Sequence, residues 1–123
     1  MAASSPRNRR ALGRKAEDLA AAYLRLAGCS VLERNLQLGH LEVDILAREG
    51  DCLLFVEVRL RRGGSCGGAA ESMTPLKLRR LREGVRRGLA ARRWRGSYRL
   101  DLVALDWNGR GGSLRLEHYR GIG

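Results

Sequence analysis

The sequence predicts one α/β domain in which a central mixed β-sheet is flanked by two helices, in the order α-β-β-β-α-β-β. Three observations lead there. Two long stretches repeat apolar residues at steps of three and four. Five shorter ones have strand composition and are separated by turn residues or by one of those helices. The chain has 123 residues, 44% hydrophobic and 30% charged, which is the size and balance of a single domain with its own core.

Residues 1–10 read as a flexible basic arm and 11–123 as the domain. A first helix is expected over 11–27, with Leu12, Ala16, Leu19, Tyr23 and Leu26 as its apolar stripe and Gly28 as its stop. A strand follows over 30–38, then a turn at Gly39-His40. Segments 41–47 and 53–60 are strands joined through Glu49-Gly50-Asp51. A glycine-rich loop occupies 63–68. Thr74 caps a second helix, with Pro75 at its first position, running to about Arg93 on a stripe of Leu78, Leu81, Val85 and Leu89. Strands over 98–105 and 114–119 close the order, turned at 108–112. The strand after the second helix is expected parallel to one before it, by a right-handed crossover.

Twenty-four basic residues face 13 acidic ones, a net charge of +11, and all but Lys15 and Lys77 of the basic residues are arginine. Such a field attracts polyanions, nucleic acid first. No apolar run approaches membrane-spanning length, and the basic start lacks an apolar segment behind it, so neither a membrane span nor a secretory signal is expected. Cys29, Cys52 and Cys66 form no metal-binding spacing. An odd count of scattered cysteines fits free thiols and a cytoplasmic location; Cys29 and Cys52 read as small core residues and Cys66 as exposed.

The hairpin holds the informative acids. With Gly50-Asp51 as a two-residue loop, residues pair when their numbers sum to 101, which sets Asp44 opposite Glu57 and Glu42 opposite Arg59. Alternation then puts those four on one face and Val43, Ile45, Val56 and Val58 on the other. Facing carboxylates repel, and they are natural oxygen ligands for a hard divalent cation. A solvent-facing pair with Arg59 as counter-ion explains the same spacing.

Val43-Asp44 followed by Phe55-Val56-Glu57-Val58-Arg59 resembles the PD-(D/E)XK nuclease signature. The chain resembles the YraN family of small endonuclease-like proteins over almost its whole length. The resemblance runs through Gly13-Arg14-Lys15-Ala16-Glu17, Glu33-Arg34-Asn35, Leu41-Glu42-Val43-Asp44-Ile45-Leu46-Ala47, Phe55 to Arg61, Lys77 with Leu81, and Arg99-Leu100-Asp101-Leu102-Val103. It implies a restriction-endonuclease-like fold and metal-dependent phosphodiester hydrolysis on structured or branched DNA, the substrates of repair and recombination. Asp44 and Glu57 would hold Mg2+ or Mn2+, with the Val58 carbonyl as a third oxygen. Glu17 would reach the site from the first helix, and Glu42 would support it from behind. Asp101 would be structural or a substrate-side acid. A homodimer follows by analogy with resolvases.

One departure matters. The superfamily's lysine is Arg59 here, which cannot act as a base but can pair with a phosphate oxygen. The alternative is therefore a nuclease-fold protein that binds DNA or RNA without cutting. Lys77 is either a replacement for that lysine or a solvated helix residue. Eight basic residues between Lys77 and Arg93 exceed what local acids can pair; with Arg61, the group Lys77, Arg79, Arg80, Arg86 and Arg87 reads as the nucleic-acid face, or as a solvated one. Trp94 and Trp107 are candidates for base stacking or for partial burial. His40 and His118 read as surface or packing residues.

Overall fold

The structure, a computed structural model, describes residues 6–62, 73–108 and 112–122. Helix α1 spans Pro6–Leu26. It starts five residues ahead of the expected Ala11 and takes in residues 6–10, because proline's missing N–H costs nothing at a first helical position. The expected stripe is also rotated. Ala16, Ala20, Ala21 and Leu24 are buried, whereas Leu19 is 45% and Leu26 90% exposed. Small alanines let the helix lie close on the sheet, so the leucines expected to do that work fall outside. Gly28, at φ +96°, ends the helix as expected.

Strands β1 (Ser30–Leu38), β2 (Leu41–Glu49) and β3 (Cys52–Arg62) are antiparallel neighbours. Helix α2 (Pro75–Arg92) crosses back, and β4 (Ser97–Asn108) then runs parallel to β3. β5 (Ser113–Tyr119) returns antiparallel on β4. The sheet order is β1-β2-β3-β4-β5. The β2–β3 register is the expected one, from Glu49↔Cys52 to Ile45↔Val56, around the two-residue loop Gly50-Asp51. Thr74 caps α2, its hydroxyl accepting from the Lys77 N–H at 3.3 Å. Arg93 closes α2 in the left-handed conformation.

Each helix covers one face. On the α1 side Ile45, Leu54, Val56, Val103 and Leu105 meet Ala20 and Leu24. On the α2 side Leu46, Leu53, Phe55 and Leu100 meet Leu81 and Val85. Leu78 and Leu89 flank that contact, so the expected α2 stripe is present. Buried Gly88 lets the helix approach: a methyl there would stand 3.1 Å from Cε2 of Phe55. Cys29 is buried, Cys52 half-buried, and both thiols are free. Cys66 and the glycine-rich loop at 63–68 lie outside the described residues. No helix among the described residues is long and apolar enough to cross a membrane.

Candidate functional site

The site forms where the hairpin strands lose their regular alternation. Asn35, within β1, has φ +52°, a left-handed conformation that Asn tolerates far better than β-branched residues. On either side of it Arg34 pairs with Ile45 and Leu36 with Val43. Two residues apart should share a face, yet Ile45 packs on the α1 side and Val43 on the α2 side. The expectation that Val43 joins Ile45, Val56 and Val58 is therefore corrected: one left-handed residue shifts the alternation, and Asp44 sits at the shift.

The β2–β3 ladder stops at Ile45↔Val56. Asp44 and Glu57 are thus not ladder partners, and neither are Glu42 and Arg59, although both pairs continue the same register. Instead Asp44 Oδ2 accepts a hydrogen bond from the Val58 N–H at 2.7 Å. A carboxylate ends the ladder by taking the donor that the next rung would have used. Val58 therefore enters the site through its N–H.

Glu57 lies on the α2 face of β3, and Arg59 Nη2 stands 3.1 Å from its Oε1. The Glu57 side chain is 12% exposed. Burial pushes its pKa up to about 7, the nearby Asp44 charge adds to this, and Arg59 and Lys77 oppose it. Burial likewise raises Asp44 to about 6, against the Val58 hydrogen bond and Arg59, with Glu17 and Glu42 adding to the rise. Asp44 thus feels the charges of Glu17, Glu42 and Arg59, and Glu57 those of Asp44, Arg59, Lys77 and Glu42. Arg59 Nε is buried without a hydrogen-bond partner among the described residues.

Glu17 is tied in through a residue that the sequence reading did not assign a role. With its amide nitrogen facing the acceptors, Asn35 donates to Oε1 of Glu17 and to Oε1 of Glu42, each at 3.0 Å. Arg34 holds Glu17 and Asp18 from the same strand, at 3.7 and 2.7 Å. Burial still leaves the Glu17 pKa raised, with Arg34 and Asn35 opposing it. The signal for Asn35 was its type: asparagine is a poor strand residue but one of the few at home in a left-handed kink.

Asp101 takes a different part. It is fully buried on the α1 face. Its carboxylate is bonded by Arg99 Nε at 2.9 Å, the Gly121 N–H at 3.0 Å and His118 Nε2 at 2.8 Å, while His118 Nδ1 meets the Tyr23 hydroxyl at 2.8 Å. Burial would raise its pKa, but the bonds from His118, Arg99 and Gly121 outweigh it and hold it below the usual range. Of the two roles left open, Asp101 has the structural one. His118 is a packing residue and His40 an exposed one.

The basic surface is where it was expected. Arg61, Arg79, Arg80, Arg82, Arg86 and Arg87 are exposed, Lys77 is half-buried and near enough to Glu57 to oppose the rise in its pKa, and Arg92 pairs with Glu33. Trp94 is half-buried: Arg48 lies over its ring at 5.3 Å and its Nε1 donates to the Ser97 carbonyl. Trp107 lines an apolar groove with Leu12, Leu19 and Leu114.

The profile of the Uncharacterised protein family UPF0102 matches residues 16–105. This chain belongs to UPF0102. That is the YraN family whose motif order the sequence resembles. A UPF0102 protein of Rhodococcus opacus is 44% identical over 114 residues, covering 89% of this chain and 93% of the relative. One from Anaeromyxobacter dehalogenans is 40% identical over 118 residues, covering 90% and 82%. One from Streptomyces coelicolor is 42% identical over 123 residues, covering 93% and 89%. The UPF0102 match begins at Ala16 and runs through Glu17, Asn35, Asp44, Glu57 and Lys77.

Among the described residues of this UPF0102 protein no three acidic, histidine or cysteine side chains converge as a metal site. Asp44 and Glu57 suit a cation that takes one or two carboxylates and keeps several waters, as Mg2+ does.

Proposed function

We propose that this protein is an endonuclease-like member of the PD-(D/E)XK superfamily, hydrolysing phosphodiester bonds in structured or branched DNA with Mg2+ or Mn2+. The observation that carries this reading is the placement of two largely buried carboxylates, Asp44 and Glu57, at the fork where β2 leaves β3, beneath a helix lined with exposed arginines. Burying two neighbouring acids is costly unless a cation joins them.

Asp44 and Glu57 would hold the ion, with the Val58 carbonyl as the third oxygen. When bound, the ion supplies Lewis-acid stabilisation of charge on phosphorus and a more acidic water. The chain's own groups do the rest. Val58 fixes the Asp44 carboxylate through its N–H. Asn35 orients Glu17 and Glu42. Arg59 offers a permanent positive charge to a phosphate oxygen. Lys77, in the first turn of α2 and near enough to lower the Glu57 pKa, would add a second positive charge for the phosphate. Arg61, Arg79, Arg80, Arg86 and Arg87 bind the backbone without reading sequence. Free thiols at Cys29 and Cys52 favour work in the cytoplasm, and cutting two strands calls for a homodimer.

The test is cleavage of duplex, single-stranded and branched DNA with Mg2+ or Mn2+, by wild type, Asp44→Ala and Glu57→Ala. Loss in both variants is expected; equal cleavage by all three exposes a contaminant and removes the enzyme reading. One observation favours a second reading, binding of DNA or RNA without cutting: Arg59 already pairs with Glu57 at 3.1 Å. Strong gain of cleavage in Arg59→Lys supports that reading, and robust wild-type cleavage refutes it.

A further inference from the structure

Helix α2 presents its free arginines in two rows, and the rows border different clefts. On one flank a cleft of about 370 Å3 is lined by Arg80, Arg87, His40 and the carboxylate of Glu83. On the other, a cleft of about 290 Å3 opens between α2 and the start of β4. Arg82 and Arg86, one helical turn apart, stand on its rim. Val85 and Leu100, both core residues, give it an apolar floor. Tyr98 lines it too, on the same face as Leu100 and 52% exposed. Arg99 also borders it, but its guanidinium is engaged by Asp101 and Glu49. Neither Arg82 nor Arg86 forms an ion pair with a described residue.

Phosphate alone needs only the guanidinium groups. An apolar floor beside an exposed aromatic ring suits something flat and uncharged attached to that phosphate. In a duplex the bases are stacked and paired, so their faces cannot reach such a ring; in a single strand they can. We propose that this cleft binds one unpaired nucleotide of a single-stranded DNA segment, its phosphate on Arg82 and Arg86 and its base against Tyr98. β3 and β4 run parallel, with Tyr98 beside Leu53 and Leu102 beside Glu57. The cleft therefore lies about 13 Å from Glu57 along the strand. The cleft and Glu57 both lie on the α2 face of the sheet, on neighbouring strands. The inference rests on the nucleic-acid half of the reading above and not on cleavage.

The experiment is fluorescence anisotropy in EDTA, without divalent cation, on a labelled single strand and on a blunt duplex of the same sequence. Tyr98→Ala is expected to weaken single-strand binding about 5- to 150-fold and to leave duplex binding unchanged, while Tyr98→Trp keeps both. Replacing Arg82 and Arg86 by Gln is expected to flatten the single-strand salt slope by about 0.7, the loss of one neutralised phosphate. Replacing Arg80 and Arg87 weakens both ligands alike. Unchanged single-strand affinity in Tyr98→Ala, or equal loss on strand and duplex, overturns the proposal. Because no metal is present, that failure is distinct from absence of nuclease activity.

Discussion

Replacing Glu57 with Gln should make the protein more stable at pH 8 and, on the proposed reading, abolish any stabilisation by Mg2+. The Glu57 proton leaves at about 7 in the folded chain, against an ordinary value of 4.5. Between those two values the native state holds a proton that the unfolded state has released, so stability falls as pH rises and the loss is complete above about 7. The size of that loss is ~3 kcal/mol. Asp44 is raised to about 6, but both rises share one mutual repulsion, so they do not add. Glu57→Gln keeps the shape, removes the buried charge and relieves Asp44. It forfeits the ion pair with Arg59, part of whose strength is already spent against burial. A net gain of about 2 kcal/mol at pH 8 follows, or some 5–10 °C in Tm for a domain of this length. At pH 5 the wild-type carboxyl is largely protonated and the gain should shrink towards zero. Thermal unfolding of both proteins from pH 5 to pH 8 reads this directly. Adding Mg2+ should raise the wild-type Tm at pH 8 and leave the variant's unchanged. A variant less stable than wild type at pH 8, or a gain of equal size at pH 5, would refute the reasoning, because the buried charge would then not be the cost.

Two further perturbations separate the site from the scaffold. Asn35→Gly accepts the left-handed backbone without strain, so its Tm should stay near wild type while loss of the donor shared by Glu17 and Glu42 lowers cleavage about 10- to 100-fold; Asn35→Val should instead lose about 1–2 kcal/mol of stability. Asp101→Asn leaves Arg99 and His118 without their buried anion and should cost about 3 kcal/mol. Because the Asp101 pKa is lowered, its stabilisation is present above the ordinary aspartate value and lost as pH falls through the lower folded one, so acid unfolding of the wild type should carry a limb that the variant lacks.

What could be read in the sequence was local. The Gly50-Asp51 turn alone set the β2–β3 register, and Thr74-Pro75 alone placed the start of α2, because each depends on a few adjacent residues. That register brings Asp44 and Glu57 to the end of the β2–β3 ladder, where Asp44 bonds the Val58 N–H in place of a further rung. What escaped depended on partners far along the chain. Which stripe of α1 faces the sheet was decided by how closely the helix can lie, and Leu12 to Leu26 look equally apolar without the sheet in view. The face change at Asn35 defeats a period-two reading, since a single left-handed residue moves every later side chain across. The support of Asp101 by His118, and of His118 by Tyr23 across 95 residues, has no signature in spacing.

The strong positive charge of the chain does not settle the charge of the site. Most of the arginines on α2 are exposed, and beyond about 10 Å such charges are screened at moderate salt. Arg59 and Lys77 are near enough to act on Glu57, and both do lower its pKa, yet burial and Asp44 prevail and the carboxyl stays well above its ordinary value. Two cations of the chain therefore fail to balance two buried acids. Below about pH 7 a proton relieves that shortfall; above it the ionised pair stands at a cost, which a further positive charge between Asp44 and Glu57 would offset. A small divalent ion would meet that demand without a side chain of its own to order, and on the proposed reading it would leave the arginines for the phosphates. On the proposed reading the basic helix and the acidic fork would be complementary halves of one arrangement: the first would draw a polyanion to the surface, and a divalent ion would offset the cost of ionising the second.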